Sequence, residues 1–115
     1  DWVLDDQPQE IRTTHGPLVT LPYSVELNDI PMMMVQHHSA RELYDRTMDQ
    51  FTRLYAEGEH TAKIMGIAVH PYITGVPHRI DYFERALEEM RMQPGVLFWT
   101  GDQILDWYRG ERPAR

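Results

Sequence analysis

The chain has 115 residues, enough for one domain. Lys plus Arg is 11 and Asp plus Glu is 18, so the formal net charge of −7 argues against a partner bound through a nucleic-acid phosphate backbone. There is no cysteine, which excludes a disulfide framework, a thiolate zinc site and a cysteine nucleophile, and no apolar run approaches the ~20 residues that span a bilayer.

Residues 1–17 hold Pro8, Gly16 and Pro17 among polar residues and predict an irregular connection. Residues 18–27 predict a strand, with Leu21, Tyr23, Val25 and Leu27 on one face and Pro22 marking a bulge or an irregular edge. Asn28 and Asp29 end it. Residues 30–38, with Met32, Met33, Met34, His37 and His38, predict a loop or a short helical turn. Ser39 and Glu42 have the spacing of a capping box, and a helix to Glu57 follows, with Leu43, Thr47, Phe51, Leu54 and Tyr55 inward and Gly58 as a left-handed stop. Residues 64–69 are apolar on both faces, as in a covered parallel sheet. After a Gly/Pro loop, Ile80, Phe83, Leu87 and Met90 form a helical stripe that Pro94 and Gly95 end. Residues 96–99 predict a short buried strand. Thr100 and Gln103 cap a last helix packed through Ile104, Leu105, Trp107 and Tyr108, and residues 110–115 are expected to fray. Strand and helix alternate three times, the pattern of an α/β fold with a parallel sheet.

His70 follows the most apolar run of the chain, at the strand edge where α/β folds place their chemistry. An imidazole there is suited to acid–base work, or merely bonds a loop carbonyl. Asp5, Asp6, Asn28 and Asp29 are the carboxylate and amide candidates beside it. A neighbouring carboxylate orients an imidazole, but Asn and Asp also end strands as plain turn residues. His37 and His38 are adjacent, so on a strand they face opposite ways and share one ion poorly. The methionines beside them suit packing or a contact surface.

Three segments carry a resemblance: Leu21-Pro22-Tyr23-Ser24-Val25-Glu26-Leu27-Asn28-Asp29; Ile67-Ala68-Val69-His70-Pro71-Tyr72-Ile73-Thr74-Gly75-Val76-Pro77-His78-Arg79; and Val96-Leu97-Phe98-Trp99-Thr100-Gly101-Asp102-Gln103-Ile104. With Asp1-Trp2-Val3-Leu4-Asp5-Asp6-Gln7-Pro8, they resemble the C-terminal part of a polysaccharide deacetylase (NodB homology) protein, nearest the branch with cofactor-independent allantoinases and peptidoglycan deacetylase-like proteins. The resemblance runs from about residue 1 to 109 and is most specific around His70. It implies about three βα units of a distorted (β/α) barrel, as part of one catalytic domain within residues 1–115.

The resemblance also implies hydrolysis of a C–N amide-type bond. Family enzymes activate water with a carboxylate and protonate the leaving amine with a histidine, whose position His70 occupies. Asp29 or Asp6 would support that acid. Trp2, Asp5, Asn28, Pro71, Tyr72 and Trp99 would wall the substrate site. The family's base and its Asp-His-His metal ligands belong to earlier motifs, so any cofactor is unknown. The substrate is a small amide or an N-acetylated carbohydrate; neither nucleic acid nor membrane is an expected partner. Further expectations are the missing barrel half, a homo-oligomer and a cytoplasmic location. The rival reading is a degenerate barrel that only binds a ligand or assembles.

Overall fold

The computed structural model describes residues 5–111, with the backbone alone at Glu111. The expectations for Trp2 and for residues 112–115 lie outside the described residues. Helices dominate: a π-helix (Ile30–Val35), α1 (Ala40–Glu57), α2 (Ile80–Arg91) and α3 (Gly101–Glu111) follow a hairpin of β1 (Gln9–Thr13) and β2 (Gly16–Thr20).

The hairpin corrects the reading of residues 1–17 as irregular. β1 and β2 pair antiparallel, with Thr13 opposite Gly16 across a two-residue loop. Gly16 takes a φ of 109°, open to glycine and strained for other residues, and the Thr13 hydroxyl donates to its carbonyl at 2.6 Å. The ribbon is exposed along β1 and through most of β2, so no buried face wrote an apolar alternation into the sequence.

The strand expected over 18–27 stops at Thr20. Pro22 has no N–H to give a ladder, and a turn at Ser24, whose hydroxyl accepts the Glu26 N–H at 3.0 Å, folds the chain before Leu27. Tyr23 and Leu27 therefore do not share a face: Tyr23 is exposed while Leu27 is buried.

Residues 64–69 form no continuous ladder among the described residues. One parallel bridge joins Ala68 to Asn28, through the Asp29 N–H to the Ala68 carbonyl (3.1 Å) and the Ala68 N–H to the Leu27 carbonyl (2.9 Å). The parallel sense is as expected. The segment begins where the Ile64 N–H donates to the Asp6 carbonyl at 2.8 Å. Gly66 passes so close to Pro22 that an added Cβ would lie 2.8 Å from its carbonyl oxygen. Residues 96–99 are likewise not a buried strand: Leu97, Phe98 and Trp99 are exposed. They edge an apolar groove of about 710 Å³ shared with Phe51, Ile64, Phe83 and Trp107.

The helices agree with the sequence more closely. α1 buries Leu43 and Thr47, and α2 buries Ala86 and Met90. They are tied by Tyr44, whose hydroxyl donates to Glu89 at 2.7 Å while the Arg85 guanidinium lies 4.6 Å from its ring centre. That bond to Glu89 holds the Tyr44 hydroxyl above its ordinary pKa. α3 starts with the expected reciprocal box: the Thr100 N–H donates to Gln103 at 2.8 Å, and the Gln103 N–H to the Thr100 hydroxyl at 3.3 Å. It runs through Gly110 to Glu111, which the sequence reading gave to the tail.

Two caps differ. Ser39 precedes α1 in an extended conformation, but its side chain makes no cap bond: the Glu42 N–H donates to the Ser39 carbonyl at 3.1 Å, and the Glu42 carboxylate turns to Arg46 at 3.0 Å. Gly58 keeps a right-handed φ of −63°, and its N–H donates to Leu54 and Tyr55. The left-handed turn belongs to His37, with a φ of 59°, just past the π-helix.

The core lies beneath the end of the 64–69 segment. Met32, Met33, Leu43 and Ile73 are buried together, with Ile30, Ala40, Ile67 and Val69 against them. Each such side chain contributes on the order of 1.5–3 kcal/mol by burial, so the π-helix and α1 are anchored to the turn after His70. Met32 and Met33 therefore serve packing, while Met34 faces solvent.

At the opposite end of that segment the Lys63 ammonium bonds Asp6 at 2.7 Å and lies 3.5 Å from Glu57. The bond to Asp6, and then Glu57, holds Lys63 above its ordinary pKa; Arg53 first, and then Lys63, holds Glu57 below its own. The Lys63 contribution is complete below the ordinary lysine value of about 10.4 and is lost as pH rises through the raised one. The Glu57 contribution is present above about 4.3 and is lost as pH falls through the lowered value. In urea titrations, Lys63→Met is expected to lower the midpoint modestly and by a constant amount near neutral pH. The difference from the parent should shrink at both extremes, and a difference independent of pH contradicts the assignment.

Candidate active site

Asp29 is fully buried and accepts three hydrogen bonds. Its Oδ1 meets the Nδ1 of His70 at 2.7 Å. Its Oδ2 accepts the backbone N–H of His70 and the hydroxyl of Thr74, both at 2.7 Å. A buried carboxylate is tolerable only with such partners, and here every buried side-chain N or O among the described residues has one.

Local structure explains the convergence. The bridge between Asn28 and Ala68 sets the ends of two segments side by side, so Asp29 and His70 leave them at one level. The chain then folds back: the N–H groups of Ile73 and Thr74 both donate to the His70 carbonyl at 2.9 Å. That turn carries Thr74 to the carboxylate and buries Ile73 in the core. Gly75 permits it, since a Cβ there would lie 2.5 Å from the Pro71 carbonyl oxygen. Arg79 closes the loop by donating to the Ile73 carbonyl at 3.1 Å.

The His70 side chain is 34% exposed. With Nδ1 committed to Asp29, Nε2 is the nitrogen left to face a ligand. In the neutral ring the bond to a carboxylate selects the Nδ1–H tautomer and makes Nε2 an acceptor; in the protonated ring Nε2–H is a donor. Tyr72 stands edge-on to the imidazole, 5.7 Å between ring centres, and is largely open to solvent. Pro71 is exposed beside it.

The other expected site residues fall elsewhere. Asn28 adjoins Asp29 in the chain, but its amide is engaged at both ends, Nδ2 to the Tyr23 hydroxyl at 3.3 Å and Oδ1 to the Ile30 N–H at 3.1 Å. Asp6 pairs with Lys63 at the far end of the 64–69 segment, so of the two candidate carboxylates Asp29 is the one brought to His70. Asp5 is exposed, accepts the Asp6 N–H at 2.7 Å and a bond from Gln9, and is held below its ordinary pKa by those bonds in that order. Trp99 edges the apolar groove, whose lining does not include His70. His38 lies 3.9 Å from Glu42. Among the described residues no three His, Asp or Glu side chains gather as metal ligands would, so these residues do not supply the Asp-His-His set that the resemblance attributes to family enzymes. Thr74 was missed by sequence reasoning: a threonine in a loop carries no periodic signal, and only its place four residues after His70 hinted at a turn.

A histidine braced by a buried carboxylate, with its far nitrogen open, is an arrangement capable of acid–base chemistry. No family model matches the chain. It is 30% identical over 100 residues, 85% of its length, to a protein of Schizosaccharomyces pombe named as a polysaccharide deacetylase. It is 24% identical over 116 residues to the peptidoglycan deacetylase of Helicobacter pylori. The chain spans about a third of these relatives, 31% and 38% of their lengths. Its backbone matches two crystal structures with a TM-score of 0.89 and 26% identity, over 100% of this chain and 39% of each of theirs. One is from Pseudomonas aeruginosa and is named as a polysaccharide deacetylase; the other is PuuE allantoinase. Sequence and backbone together place the chain among polysaccharide deacetylase-type (NodB homology) proteins, as the resemblance around His70 implied.

Proposed function

We propose that this chain carries the proton-donating half of a C–N hydrolase site, with His70 as general acid and Asp29 as the carboxylate that orients it. The observation behind the proposal is the 2.7 Å contact between His70 Nδ1 and a fully buried Asp29. In amide hydrolysis water adds to the carbonyl carbon, and the tetrahedral intermediate collapses by breaking the C–N bond. The departing nitrogen needs a proton, because an amide anion is a poor leaving group. Protonated His70 gives that proton from Nε2, and Asp29 stabilises the imidazolium before transfer. The carboxylate that activates water is assigned to residues outside this chain, as the resemblance implies. No step runs through a metal.

The chain's shape suits one part of a barrel. Its radius of gyration is 15.6 Å, against about 13 Å for a compact chain of this length. Its accessible surface is 8224 Å², against about 6,600 Å² for a compact monomer of this mass. The open apolar groove beside residues 64–69 is then the natural seat of further barrel elements.

The substrate class is an N-acetylated carbohydrate, following the deacetylase names of the relatives. The equal backbone match to PuuE allantoinase favours a small amide as the second reading. Tyr72 suits either, by its exposed ring beside His70.

Steady-state kinetics on the complete protein test the role. His70→Ala is expected to lower kcat by about 10²–10⁴ and to change KM much less, because a proton donor acts mainly in the transition state. An unchanged kcat contradicts it.

A further inference from the structure

We infer that Thr74 is a positioning residue of this site, acting on His70 through Asp29. The inference deepens the proposed function and rests on its reading of His70 as the donor.

The carboxylate of Asp29 turns about its terminal torsion, which is broad and roughly two-fold. The partners of Oδ2 therefore decide where Oδ1 points. One of them is the backbone N–H of His70, which belongs to the residue being aimed. The other is the Thr74 hydroxyl, which comes from one turn later in the chain and gives a second, independent fix. Thr74 is 2% exposed and Asp29 0%, so solvent has little access to the bond between them. The donor is itself held: the Thr74 N–H bonds the His70 carbonyl, and Gly75 lets the backbone pack against Pro71. The arrangement is a closed ring of contacts from His70 through the turn to Thr74, on to Asp29, and back to the imidazole. Without the hydroxyl, Oδ2 keeps one donor, the carboxylate swings, and the half-exposed imidazole loses the partner that selects its tautomer.

Thr74→Val removes the hydroxyl and keeps the branched shape; Thr74→Ser keeps the hydroxyl and removes the methyl. Two quantities are read in the complete protein: the fraction of neutral His70 with its proton on Nδ1, from ¹⁵N NMR, and kcat and KM for amide hydrolysis. Val is expected to lower the Nδ1–H fraction and to cut kcat about tenfold, with KM within about twofold, and Ser to restore both. A purely structural threonine would lower the melting temperature of the Val variant and leave tautomer and kcat per folded molecule unchanged. That result overturns the inference, as does a folded Ser variant with the tautomer lost. Should Val fail to fold, the wild-type spectrum decides: a Thr74 hydroxyl proton protected from exchange and close to the His70 Nδ1–H is expected, and its absence overturns the inference. If the wild type hydrolyses no amide, the proposed activity fails, while the tautomer measurement still decides the role of Thr74.

Discussion

Asp29→Ala is expected to be the most damaging single substitution in the chain. It removes one acceptor group and strands three donors: the His70 N–H, the His70 ring and the Thr74 hydroxyl. Two of the three belong to backbone or to a buried side chain, and water reaches them poorly. Leaving a buried donor without its acceptor costs about 1–3 kcal/mol each, together a large share of the total of about 5–15 kcal/mol that a domain possesses. The loss should appear in urea unfolding as a large fall in midpoint. Asp29→Asn separates stability from chemistry. It keeps the shape but sets an NH₂ among donors, and it removes the charge that stabilises an imidazolium. The expected fall in kcat is about 10³–10⁴, the scale at which an orienting Asp matters in an acid–base triad. A folded Asn variant with near wild-type kcat contradicts the role given to Asp29.

Gly75→Ala is expected to be nearly as harmful, and for a reason invisible in any list of contacts. The new Cβ would meet the Pro71 carbonyl oxygen at 2.5 Å, and the Pro71 Cα and C at 3.2 Å. All three are backbone atoms, so no rotamer relieves the clash and the turn must open. Opening it pulls Thr74 from Asp29 and Ile73 from the core. A cost of about 3 kcal/mol is expected, with kcat falling alongside stability. Gly110→Ala is the control. Nothing lies within 4 Å of its Cβ position in α3, and removing a glycine from a helix stabilises it by up to about 1 kcal/mol. Thermal melts of the two variants should therefore move in opposite directions. Equal melts would remove the steric argument for the turn.

The three α-helices were legible because each carries an apolar stripe along one side. The stripe of Ile80, Phe83, Leu87 and Met90 fixed α2, and Thr100 with Gln103 fixed the start of α3. Strands were legible only where burial wrote a pattern. The β1–β2 ribbon, wet along most of both strands, left none. The opposite failure befell residues 64–69 and 96–99. Their apolar runs promised a covered sheet, and the described residues supply one bridge to the first and an open groove beside the second. Apolar character records what a segment is built to pack against, not whether that partner lies within the same stretch of chain.

The site divides the same way. His70 follows an apolar run and Asp29 ends the strand expected over 18–27; that strand does not form, but the bridge between Asn28 and Ala68 still brings the two residues to one level. Sequence alone left Asp6 level with Asp29, because composition cannot tell a carboxylate paired with lysine from one paired with histidine. Only the bridge at Asn28 and Ala68 separates them, and a single bridge has no periodicity to read.

The proposed role of His70 as proton donor to the leaving nitrogen is tested most directly by varying the leaving group. A series of amides of one acyl group, with amines of graded basicity, would be hydrolysed by the wild type and by His70→Ala. A basic amine cannot leave unprotonated, so the variant should lose about 10²–10⁴ in kcat on those substrates. An amide of a weakly basic, electron-poor amine leaves with little help, and the variant should approach the wild type there. A loss of equal size across the whole series would contradict proton donation by His70.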